Sequence, residues 1–107
     1  MHNNHSDPEF VRIRIMEAIA RSVRLSARYN GQTLTLAPHA LFSRRGDLFV
    51  SALNVAKNWR PDDEPRLGYF KLAGLADVEL TQDRFEALAD TAALLARPDD
   101  ELILAVA

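Results

Sequence analysis

The sequence predicts a mainly β chain with flanking helices (α+β class): a small β-barrel preceded by one helix and followed by a second. Three observations carry this. An apolar stripe at helical spacing precedes residue 22, alternation with a period of two and hairpin turn residues fill the middle, and a capped polar-apolar stretch follows Thr81. With 107 residues, 48% of them apolar, the chain has material for one hydrophobic core and not two. Residues 8–107 therefore read as a single domain behind a flexible leader, residues 1–7.

Ser6-Asp7-Pro8 reads as a helix start: Ser6 or Asp7 can accept orphan amide hydrogens, and Pro8 suits the first helical turn. From Pro8 to Arg21, Val11, Ile15 and Ile19 recur every four residues. Ile13, Met16 and Ala20 widen the stripe, opposite Arg14, Glu17 and Arg21. That stripe can cover a barrel mouth or pair with the same helix of a second chain. From Val23 the period is two: Val23, Leu25, Ala27 and Tyr29 face one way, Arg24, Ser26 and Arg28 the other.

Asn30-Gly31 supplies the positive-φ pair of a tight hairpin, and Leu34, Leu36 and Pro38 alternate on the way back. A second hairpin is expected from Leu41-Phe42 through the turn Ser43-Arg44-Arg45-Gly46-Asp47 to residues 48–53. Residues 57–65, charged and with two prolines, read as an exposed loop holding Trp59. Residues 68–72 and 75–81 read as short strands separated by Ala73-Gly74. Thr81-Gln82-Asp83-Arg84 opens a helix to about Ala96, before Pro98, and residues 102–106 form a last short strand. Several short strands in so small a chain suggest a closed or nearly closed barrel, because closure removes exposed edges.

The chain has no cysteine, which excludes disulfides and thiolate metal sites, and it has no apolar run long enough to span a bilayer. The simplest address is cytoplasmic, with no membrane association. The net charge of −2 argues against tight nonspecific binding to nucleic acid. That average conceals polarity along the chain. Residues 1–60 hold nine Lys or Arg against four Asp or Glu, and residues 61–107 hold four against eleven.

Catalytic wording is absent: there is no GxxxxGK[ST], GxGxxG or GxSxG, and the histidines His2, His5 and His39 do not form H-E-x-x-H. The expectation is therefore no enzyme, no metal and no cofactor. Arg44 and Arg45, in a turn, can fork onto a phosphate or simply be solvated. Arg24 and Arg28 can line a groove with Ser26 or form an ordinary outer sheet face. Trp59 can stack on a base or fold back onto the barrel.

Taken in order, the segments EAIARSVRLSARYNG, PHALFSRRGDLFV and PRLGYFKLAGLADVELTQDRF resemble the WYL domain of bacterial regulators, from about Ile15 to Phe85. The resemblance implies a small Sm-like or SH3-like β-barrel with a regulatory role in transcription. Its ligand would be nucleotide-like or a single-stranded nucleic acid, and its partner a regulatory protein or a second copy in a homodimer. The motif positions fall on Leu48, Phe49 and Val50, which keep apolar character without the tryptophan and the phenol.

Two arginines of the family's pattern fall on Leu34 and Gly74, so an anion site must be differently arranged. The ligand-binding candidates that remain are Tyr29, His39, Arg44, Arg45, Arg66 and Lys71. Two further readings stand beside the sensor: an interaction adaptor that has kept the barrel and lost the pocket, touching partners through the helix from Phe10 to Ile19, and a small Sm-like nucleic-acid binder.

Overall fold

The computed structural model describes residues 7–55, 67–88 and 97–106. Helix α1 spans Pro8–Arg21 and is followed by six strands: β1 (Val23–Tyr29), β2 (Gln32–Arg44), β3 (Asp47–Asn54), β4 (Gly68–Lys71), β5 (Leu75–Arg84) and β6 (Glu101–Ala105). A single 3-10 turn, Leu72–Gly74, joins β4 to β5. The helix begins as expected, with the Asp7 carboxylate accepting the Glu9 N–H at 2.9 Å. It ends at Ser22, whose left-handed φ of 53° turns the chain into β1 while its N–H reaches the Ala18 and Ile19 carbonyls.

The sheet is antiparallel in the order β4-β3-β2-β1-β5, with β6 on β2. Two tight hairpins set its register. Asn30-Gly31 and Arg45-Gly46 both place two consecutive residues at positive φ, the geometry whose twist matches that of the strands it joins. The second turn is narrower than the sequence suggested, since Ser43 and Arg44 remain in β2 and Asp47 already pairs with Arg44.

Nor does the second hairpin begin a new strand at Leu41, because residues 32–44 form one long strand. Position 38 lies where pairing with β1 has ended at Leu36 and pairing with β6 has not begun at Ala40. A residue without an N–H is tolerated there. His39 is the extra residue of a bulge against β3, and such a bulge bends and twists the strand that carries it.

The closed barrel is not found among the described residues, because no ladder joins β4 to β5. The sheet is nonetheless curled. A three-residue turn links its two opposite edge strands, and Tyr29 on β1 meets Phe70 on β4 edge to face at 5.3 Å.

Inside the curl lie Leu25, Ala27, Leu36, Leu41, Val50, Ala52, Leu72, Leu75 and Val78, against Val11, Ile15, Ala18 and Ile19 of α1. The helical stripe is thus spent on the chain's own sheet. Only Ile13, half exposed at 52%, points away from it as a large apolar side chain.

The second helix does not begin at Thr81, which lies within β5. Its hydroxyl accepts the Asp83 N–H at 3.1 Å, as a helix cap would, but donates its own proton across the ladder to the Arg24 carbonyl at 2.9 Å. Arg84 pairs with Val23, and the chain stays in the sheet. Among the described residues α1 is the one α-helix. The rest of the expected second helix, residues 89–96, the leader residues 1–6, the expected loop with Trp59, and Arg66 lie outside the described residues.

Candidate functional site

The candidates do not converge on one pocket. Among the described candidates each is placed by the curled sheet or its turns, and several are already bound to the chain itself. Tyr29 ends β1 on the core-facing side and lies over Gly74, where an added Cβ would stand 2.8 Å from its ring. The position that carries an arginine in the resembling pattern is therefore filled by a tyrosine from the neighbouring strand. Leu34 packs against the core in the same way. Apolar and aromatic surface thus occupies both positions.

His39 is fully buried on the outer side of the bend. Its Nδ1 lies 2.8 Å from the Ala37 carbonyl, its Nε2 lies 3.0 Å from the Leu88 N–H, and its ring rests against Phe85 at 5.1 Å. An amide can only donate, so Nε2 is the acceptor, and Nδ1 carries the proton it gives to Ala37. Burial pulls the imidazole pKa below its ordinary value, against the smaller opposing pull of the Ala37 carbonyl. The backbone carbonyl of His39 also receives the Val106 N–H at 2.8 Å. This histidine thus ties the segments after β5 and β6 to the bend in β2, and both of its ring nitrogens are engaged.

Arg44, at the end of β2, forms a two-pronged ion pair with Asp100, with Nε to Oδ1 at 2.9 Å and Nη2 to Oδ2 at 3.2 Å. The Asp100 side chain is fully covered, and it also accepts the Arg97 N–H at 2.9 Å. Hydrogen bonding to Asp100 raises the guanidinium pKa, and the same bond holds the Asp100 carboxyl below its ordinary range. It also lies 4.7 Å from the centroid of the Phe49 ring, which stacks on Phe42. Arg44 therefore anchors the entry to β6. Nothing in its local sequence signals this, because Asp100 is 56 residues away.

Of the three motif positions, Leu48 and Val50 face the core, and Phe49 joins Phe42 and Tyr69 on the outer face. Arg28 pairs with Asp77 at 3.3 Å across β1 and β5. Arg24 is different: its Nε is buried with no hydrogen-bond acceptor.

Two candidates do share a concave surface. A cleft of about 190 Å³ is lined by Pro8, Gly46, Asp47, Leu48, Lys71, Leu72 and Ala73. Lys71 lies 3.6 Å from Asp47 across its rim, both side chains about half exposed. Arg45, exposed at φ 50°, immediately precedes Gly46. The cleft joins one expected motif position, Leu48, to Lys71, and the exposed Arg45 adjoins it through Gly46. Its floor is apolar and its rim charged, which suits a flat ring carrying an anionic group.

No helix among the described residues is long and apolar enough to cross a membrane. Comparisons of the chain with protein-family models, with curated proteins and with solved structures find no match.

Proposed function

We propose that this chain is a WYL-type regulatory binding module, cytoplasmic and without covalent chemistry, that takes a nucleotide-like or single-stranded nucleic-acid ligand at the hairpin cleft. The observation that carries the reading is the meeting of Leu48, Lys71 and Gly46 around one concave surface, with the exposed Arg45 next to Gly46 in the turn. A base would rest on Leu48, Leu72 and Ala73, and Arg45 and Lys71 would hold its phosphate. Asp47 competes for Lys71, so the ligand must displace an exposed and weak ion pair. Occupancy would shift the population of a partner-bound or dimeric state, the ordinary mechanism of a sensor that turns nothing over.

The test is fluorescence anisotropy with labelled single strands of about 12 nucleotides, at two salt concentrations. The expected result is salt-dependent binding that weakens in Arg45→Ala plus Lys71→Ala, with a salt slope shallower by about 0.7 for each phosphate that the variant no longer neutralises. Absence of binding at low salt, or affinity unchanged in the double variant, overturns the reading.

A second reading, an interaction adaptor, is favoured by a separate observation. Strand β6 pairs with β2 on one side only among the described residues, and it exposes Leu102 and Ile103 at 51% and 47%. In that reading the open edge of β6 replaces the helix as the contact surface.

A further inference from the structure

The end of α1 away from the hairpin cleft holds a second concave surface, of about 380 Å³, lined by Arg21, Val23, Gln82 and Arg84. Its walls come from an irregularity in the β1/β5 ladder. Val23 pairs with Arg84 and Leu25 with Leu80, so the single residue Arg24 faces three on β5: Thr81, Gln82 and Asp83. The surplus bows β5 outward. Three bonds fix the bow: the Thr81 hydroxyl to the Arg24 carbonyl, the Asp83 N–H to the Thr81 hydroxyl, and the Phe85 N–H to the Ser22 carbonyl at 3.0 Å. Ser22, left-handed, turns the chain so that the last helical residue, Arg21, meets Arg84 across the opening.

The charge here is unbalanced in a specific way. Arg21 uses Nη1 on Glu17 at 3.0 Å, which leaves the rest of its fork for another acceptor. Arg84 has no carboxylate within ion-pair distance among the described residues, and the buried Nε of Arg24, on the strand that faces the bow, has no acceptor at all. Two guanidinium groups therefore line the cleft against the one carboxylate that Arg21 pairs with, an excess of positive charge that favours an anion. The carbonyl end of α1 opposes an anion, although the Ser22 N–H covers the Ala18 and Ile19 carbonyls. A singly charged ion therefore gains little, and a multiply charged one gains most.

We propose that this cleft is a phosphate site for a small phosphorylated molecule, gripped by the guanidinium groups of Arg21 and Arg84 with the Gln82 amide as a neutral donor. It shares no residue with the hairpin cleft and does not depend on the function proposed for it.

The experiment is an amide NMR titration of the full chain with sodium pyrophosphate, against sodium chloride at matched ionic strength. Saturable shifts confined to residues 21–23 and 82–84 are expected with pyrophosphate alone. Arg84→Gln weakens binding roughly tenfold or more and Arg84→Lys weakens it less, because the lysine keeps charge and loses the fork. Unchanged amide positions elsewhere report that each variant is folded. Shifts that grow linearly and match those of chloride overturn the site. So do saturable shifts confined to Gly46, Asp47, Leu48 and Lys71, which would remove this site while supporting the hairpin cleft.

Discussion

His39 shows how one residue can carry a structural duty that its position in the chain does not announce. Its neutral ring donates at Nδ1 and accepts at Nε2, and a second ring proton would point at the Leu88 N–H, another donor. The folded protein therefore binds that proton less readily than the unfolded chain, whose histidine titrates near its ordinary value of 6.5. Below that pH the unfolded state takes up more protons, so stability falls as pH falls and is insensitive to this group above it. Thermal melts from about pH 7 to about pH 5 are expected to show a falling midpoint, and His39→Gln, which still donates and accepts, is expected to flatten that slope. A slope unchanged in the variant would assign the acid sensitivity to other groups. Asp100 does not confuse the window: its carboxyl, held low by Arg44, contributes stability that is lost only below its ordinary value of 3.8.

Elements are set by local rules where the local signal is unopposed. Both hairpin turns need residues that accept positive φ, and Gly46, at φ 86° with open space around it, needs it most. Gly46→Ala meets no steric neighbour, so its cost is backbone strain alone, about 1 kcal/mol, read as a lower urea midpoint with an unchanged slope. A loss of several kcal/mol would mean that the turn is held by more than its dihedrals. Thr81 marks where local rules fail. The same hydroxyl that satisfies a cap-like bond to Asp83 also donates to β1, and the ladder to Val23 decides the conformation.

At the scale of the whole molecule, the curl of the sheet and the placing of β6 govern how the protein meets others. Curling brings β4 and β5 near each other without pairing them, and β6 leaves an apolar edge open among the described residues. An exposed apolar edge strand is a template for another strand. The expected outcome is a mass by light scattering that rises with concentration above the 12.0 kDa of one chain, and that Ile103→Lys holds at the monomer value. A monomer mass at every concentration for the unmodified chain would remove self-pairing through β6 and leave the edge for a different partner.

The sequence by itself determined α1 with a cap at Ser6 or Asp7, the limits of β1, the positive-φ Asn30-Gly31 turn, the glycine of the second turn, and a short last strand within one residue of β6. Each rests on interactions within a few residues of one another: apolar period, capping oxygen, turn dihedral. It also named Leu48 and Lys71, which line one cleft, and Arg45, which adjoins it, although Lys71 reaches the hairpin only through the pairing of β4 with β3. Tertiary structure alone decided the rest. Pro38 stays inside β2 because neither β1 nor β6 pairs with that position. Arg44 is held by a carboxylate 56 residues away, Tyr29 fills the space over Gly74, and Arg21 and Arg84 are brought together by a bow in β5. These outcomes depend on which distant strand lies alongside, and a competition between local preference and long-range pairing is settled only when both partners are in place.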